Sequence, residues 1–135
     1  MKESINIKNA PAPVGPYSQA VIHNNVMYAS GQIAINPKNG ELIKNDVKKE
    51  LKQILANIDS LLESANIKRN QILKCSIFLK NMNDFEAVNK LYADYFEPPF
   101  PARETVEVAR LPKDCLLYTS PSPRDRISSR MPSSA

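Results

Sequence analysis

The stretch DVKKELKQILANIDSLLESAN, residues 46–66, decides how the rest of the chain is read. Its apolar residues Val47, Leu51, Ile54, Leu55, Ile58, Leu61, Leu62 and Ala65 recur at steps of 4, 3, 1, 3, 3, 1 and 3. That spacing follows the 3.6-residue turn and lays one apolar stripe along an amphipathic helix from about Asp46 to Asn66. A helix with one apolar stripe needs a second layer to cover it, so the flanking segments must supply a sheet.

They do. Upstream, "SINIK" (Ser4–Lys8) alternates weakly, and "NAPAPVGPY" (Asn9–Tyr17) is too proline-rich for regular structure. "SQAVIHNNVMYASGQIA" (Ser18–Ala34) predicts a hairpin turning near His23–Asn25, and "NPKNGE" (Asn36–Glu41) a further turn. Downstream, "ILKCSIFLK" (Ile72–Lys80) predicts a buried strand. A second helix starts at Asn83, where Glu86 completes a capping box, and carries Phe85, Val88, Leu91, Tyr92 and Tyr95. The prolines of "EPPFPA" (Glu97–Ala102) end it, and "RETVEVARL" (Arg103–Leu111) predicts a further strand. The order implies an α+β two-layer sandwich, a mixed sheet with two helices on one face. The other face then needs a cover that one chain does not supply, which points to an oligomer.

At 135 residues the chain is one domain. No run approaches the roughly 18 apolar residues of a membrane span. The N-terminus lacks an apolar secretory core, and two cysteines make no disulfide framework, so a cytoplasmic protein is expected. The net charge of +4 divides equally. Residues 115–135 hold three arginines against Asp125, and residues 1–114 hold 15 basic and 13 acidic side chains, each part netting +2. A near-neutral body without a basic stripe makes nucleic acid an unfavoured partner.

Few residues suit the familiar catalytic arrangements. The one histidine, His23, sits at a turn, which argues against a histidine-based triad, and no Cys/His/Asp cluster has metal spacing. Three glycines give no phosphate-cradling loop, and Cys75 reads as a core residue. Arg103 stands apart. Alternation along its strand puts Val106 and Val108 on one side and Arg103, Thr105 and Glu107 on the other. With the valines taken as core, Arg103 faces the open, subunit-covered side. Its planar guanidinium either pairs with Glu104 or Glu107 or awaits a carboxylate.

"APAPVGPYSQAV" (Ala10–Val21), "YASGQIAINPKNGE" (Tyr28–Glu41), "NDFEAVNKLYADYF" (Asn83–Phe96) and "FPARETVEVARLPKD" (Phe100–Asp114) together resemble the RidA family, also called YjgF. The resemblance covers nearly all of residues 3–114. It implies a homotrimer of chorismate-mutase-like subunits with sites in the clefts between them. It also implies cofactor-free hydrolysis of enamines and imines of the 2-aminoacrylate/2-iminopropanoate type to a 2-oxo acid and ammonia. The family's carboxylate-gripping arginine falls on Arg103 and its site tyrosine on Tyr17, the two catalytic candidates. Its Ser-Gly pair falls on Ser30 and Gly31, its helix asparagine on Asn89, and Thr105 lies two after the arginine; with Arg103 these are the substrate-binding candidates. No metal is implied. Alternatives that stay open are a non-catalytic carboxylate-binding trimer and an RNA-cleaving or RNA-binding relative.

The resemblance stops at Asp114. A water-positioning glutamate is implied at position 118, where this chain has Tyr118. The body holds 13 asparagines and only three arginines among its basic residues; the tail has neither Asn nor Lys, and six of its 21 residues are serine. "CLLYTSPSPRD" (Cys115–Asp125) resembles one reading frame of a transposon-end adaptor used in sequencing libraries. Residues 115–135 are thus expected to be a non-native tail, mostly disordered, following a family domain at 1–114. Leu116 and Leu117 could fill part of the missing last strand, with Pro121 and Pro123 ending it.

Overall fold

The computed structural model describes residues 1–121. Six strands and two helices follow one another as β1 (Glu3–Ile5), β2 (Ala20–His23), β3 (Val26–Ala29), α1 (Val47–Ser64), β4 (Lys74–Leu79), α2 (Phe85–Tyr95), β5 (Ala102–Glu107) and β6 (Leu117–Pro121). β1, β2 and β3 form an antiparallel sheet in that order. The second sheet runs β5-β4-β6, with β5 parallel and β6 antiparallel to β4. Paired backbone bonds between Gln32 and Thr119, at 2.8 and 3.1 Å, join the two. The α+β architecture with a mixed sheet is as the periodicity predicts.

α1 forms where its stripe demands. Leu51, Ile54, Leu55, Ile58 and Leu62 are buried in one cluster with Cys75, Ile77 and Leu79 of β4 and Leu117 of β6, and Leu61 is buried as well. Asp46 caps its start, accepting from the Lys48 and Lys49 amides, a contact whose loss typically costs about 1 kcal/mol. At its end Asn66 takes φ 59°, and the Asn66 and Ile67 amides return to Glu63 and Leu62, closing the exposed carbonyls. The hairpin turns through Asn24 and Asn25, both at positive φ, the geometry a two-residue β-hairpin needs.

Two sequence readings change. The second helix does not open on a capping box at Asn83. A short 3-10 turn, Met82–Asp84, precedes α2, and Asn81 caps that turn by accepting from the Asn83 amide. Glu107 satisfies the Met82 amide from β5, so a tertiary contact replaces the local one.

The facing of β5 is also reversed. Its register sets Arg103 beside Cys75 and Thr105 beside Ile77, both on the helix-covered side. Val106 is exposed, beside Phe78 on the open face. Alternation distinguished the two sides correctly; which side the helices cover is decided by pairing with β4. The expected last strand is filled by Leu117–Pro121, and Leu117 is fully buried. Residues 122–135, where a disordered tail is expected, lie outside the described residues.

Candidate functional site

The candidate residues gather into two groups, one on each face of the β5-β4-β6 sheet. The first surrounds a cavity of about 460 Å³ beside the proline-rich loop, lined by Tyr17, Ser30, Gly31, Ile33, Lys113 and Tyr118 among others. That volume is within the usual range for small-molecule pockets. The loop is held by a residue the sequence reading missed. Buried Gln19 accepts from the Ile7 amide at 2.6 Å and donates to the carbonyls of Ile7, Ala10 and Pro11 at 2.9–3.1 Å. An amide that satisfies so many backbone groups stands in for the ladder that prolines cannot make.

Within the cavity Tyr17 curls back so that its hydroxyl accepts from the Val14 amide. Ser30 donates its hydroxyl to the Ser18 carbonyl at 2.7 Å, and its amide bonds Gln19. The Gln32–Thr119 bridge brings β6 alongside, and the Tyr118 ring lies on Gly31. A Cβ on residue 31 would stand 1.9 Å from the Tyr118 ring and hydroxyl, so only glycine permits this approach. The other edge of Tyr118 meets Phe78, with ring centroids 5.5 Å apart. Burial, and secondarily Tyr17, pushes the Tyr118 phenol above its ordinary value and keeps it protonated.

The second group lies on the helix side. The Arg103 guanidinium sits 4.9 Å from the Tyr92 ring centroid and 5.5 Å from that of Phe85. These rings, read from sequence only as helix stripe, form its platform. Of the two carboxylates that could pair with it, Glu104 bonds Ser76 at 3.1 Å and Lys74 at 3.5 Å on the opposite face. Glu107 takes the Met82 amide. Among the described residues Arg103 therefore has no carboxylate partner. Near it in the fold, Asn89 Oδ1 on α2 and Thr105 Oγ1 on β5 are buried with no hydrogen-bond partner. Buried polar atoms without partners are uncommon and costly, so this side is short of acceptors and donors that some other group would supply. Burial, and then the neighbouring Cys75, pushes the Tyr92 phenol upward; the nearby Arg103 charge partly offsets this.

The structure thus brings Tyr17, Ser30 and Gly31 together, and separately Arg103, Thr105 and the α2 face bearing Asn89. Within one protomer the sheet stands between the groups. Among the described residues no three His, Cys, Asp or Glu side chains converge on a metal position. No described helix is long and apolar enough to cross a membrane.

The family model described as endoribonuclease L-PSP matches residues 7–117. A RutC family protein of Pyrococcus horikoshii is 50% identical over 117 residues, spanning 87% of this chain and 93% of its own length. A 2-iminobutanoate/2-iminopropanoate deaminase of Dermatophagoides farinae is 42% identical, covering 84% of this chain and 88% of that protein. Among solved structures, the YjgF gene product of E. coli superposes with a TM-score of 0.82 at 43% identity, covering 87% and 94% of the two chains. A conserved Rid family protein of Yersinia pestis reaches 0.87 at 49%, covering 89% and 96%. With the fold, the four segments and these likenesses in agreement, the chain belongs to the endoribonuclease L-PSP family, that of the RutC, Rid and YjgF proteins.

Proposed function

We propose that this chain derives from a hydrolytic deaminase of reactive enamine and imine acids, of the 2-aminoacrylate/2-iminopropanoate type. The observation that carries the reading is Arg103: a guanidinium on an aromatic platform, without a carboxylate partner, beside the unpartnered Asn89 and Thr105 oxygens. The name of the mite relative, a 2-iminobutanoate/2-iminopropanoate deaminase, supports the same class. Because the sheet separates Arg103 from Tyr17 and Gly31, a complete site needs a second copy of the chain, in keeping with a homotrimer whose sites lie between subunits.

The chemistry asks little of the protein. Arg103 holds the substrate carboxylate through two parallel bonds. The protonated imine carbon is electrophilic, and water adds to it. The resulting carbinolamine expels ammonia and leaves a 2-oxo acid, with no change in oxidation state. Orientation supplies much of the rate. What remains is to take a proton from the attacking water. A carboxylate at position 118 would do so, whereas the Tyr118 phenol keeps its proton near neutrality. Loss of such a base costs roughly 10²–10⁴ in rate, which makes this chain an impaired enzyme. The same tyrosine favours a second reading, a trimer that binds 2-oxo or 2-imino acids without turning them over.

The test is the initial rate of 2-oxo acid formation from 2-aminoacrylate generated in situ, for the chain and for Tyr118→Glu. Acceleration of at least about 10²-fold by the variant supports the deaminase. Calorimetry with a 2-oxo acid separates the second reading, which expects binding by both proteins and turnover by neither. In either case Arg103→Lys weakens binding about 10- to 100-fold, because charged hydrogen bonds contribute about 1.5–3 kcal/mol and lysine lacks the fork. Binding unaffected by Arg103→Lys removes the basis of both readings.

A further inference from the structure

β6 reaches the pocket from an unusual anchor. Glu50, one turn into α1, is fully buried. Its Oε1 accepts from the Leu116 amide at 2.9 Å, at the point where the chain enters β6. Its other oxygen, Oε2, is buried with no hydrogen-bond partner. A carboxyl group wholly inside a core usually has both oxygens satisfied, and an ionised one with a bare oxygen is expensive. From that anchor the strand runs through buried Leu117 to Tyr118, and the paired Gln32–Thr119 bonds fasten its far side to the pocket wall. The ring that covers Gly31 lies two positions beyond the Glu50 contact, with only Leu117 between them.

We propose that Glu50 is the positioning residue that sets β6, and with it residue 118, against the pocket, and that ionisation of Glu50 loosens this hold. The inference stands whatever reaction the pocket serves. Three groups bear on the carboxyl from the elements packed around it. They are Asp46 at the start of its own helix, Asp84 in the turn before α2, and the buried Cys115 thiol ahead of β6. The Asp84 and Asp46 side chains oppose a charge on Glu50. Burial, the largest influence, pushes its ionisation above the ordinary 4.5, while the Leu116 amide, and to a lesser degree that of Leu117, opposes the rise. Opening the strand to water returns Glu50 to its ordinary value. A raised folded value means that the closed strand binds a proton more tightly than the open one. The hold is therefore complete below about pH 4.5, weakens as pH rises, and has lost this contribution once pH passes the folded value.

Amide hydrogen exchange tests this directly. The protection factors of the Leu116 and Leu117 amides, corrected for intrinsic exchange, should be constant at acid pH. They should then fall by up to roughly tenfold per pH unit above about 4.5 before levelling off. In Glu50→Gln, which keeps an acceptor for the Leu116 amide and cannot ionise, the profile should be flat and protection at neutral pH higher. The Gly31 amide resonance, shifted by the Tyr118 ring, should move with the same midpoint in the native chain and not in the variant. A residue that only fills space would give no pH profile. Equal pH dependence in both proteins overturns the proposal, as does a flat native profile. Should Glu50→Gln fail to fold, ¹³C titration of the Glu50 carboxyl in the native chain decides. A raised midpoint upholds the proposal, and one at or below 4.5 overturns it.

Discussion

Gly31 shows how much a single missing methyl can decide. The Tyr118 ring occupies the volume a Cβ at residue 31 would need, so the ring can lie there only because residue 31 is glycine. Gly31→Ala must displace the ring or bend the strand, an overpacking that typically costs about 1–3 kcal/mol. Tyr118→Ala empties the space and relieves it. A double-mutant cycle in urea should therefore show a coupling of about 0.5–3 kcal/mol, with the double variant more stable than the sum of the single changes implies. Additive losses would mean that the ring does not rest on Gly31. Arg103 teaches the same lesson from the other side: its neighbours, not its position in the alternation, define what it can do. Paired side by side on the open face, Phe78 and Val106 carry no polar group, while Arg103 and Thr105 share the helix side with Tyr92.

Among the elements, α1 is the organiser. Its stripe covers both β4 and β6, its Glu50 anchors β6, and Asn57 donates to the Ile35 carbonyl at 3.0 Å, tying the helix to the pocket wall. These roles are separable by magnitude. Asp46→Ala removes the N-cap and should cost about 0.5–2 kcal/mol. Leu117→Ala removes a fully buried side chain from β6 and should cost about 2–5 kcal/mol. Chemical denaturation of the two variants measures whether the last strand is part of the cooperative core. A negligible loss for Leu117→Ala would place β6 outside it. Most of α1 is legible from spacing alone, and its ends are within two residues of the reading from sequence. The capping of α2 is not, because Glu107, far along the chain, supplies the contact at Met82.

At the scale of the whole molecule, the open face of the sheet and the divided site point to one conclusion. Val106 and Tyr28 are exposed large apolar residues, and Phe78 lies beside Val106 on the face that no helix covers. We propose that a homotrimer covers that face and, because β5 is an edge strand of its sheet, brings Arg103 of one copy to the Tyr17 pocket of another. Val106→Asp puts a charge where such an interface would be dry. Analytical ultracentrifugation should show a trimer for the native chain and a lower mass for the variant, with helical circular dichroism unchanged. A native chain that sediments as a monomer contradicts the assembly and leaves the two half-sites apart.

Periodicity and turn chemistry report on interactions within a few residues, and those were enough for α1, the Asn24–Asn25 hairpin, the central strand and the α+β class. The segments around Tyr17, Ser30, Asn89 and Arg103 were likewise legible as a family pattern. Only the tertiary structure decided that Arg103 and Thr105 face the helices and that Gln19 stitches the proline loop. It alone placed Tyr118 on Gly31 and parted the site residues between two faces. The physical reason is the same each time. Alternation fixes that a strand has two sides, but the covered side is chosen by strand register, here Cys75 beside Arg103 and Ile77 beside Thr105. Register is set by pairing between residues distant in the chain.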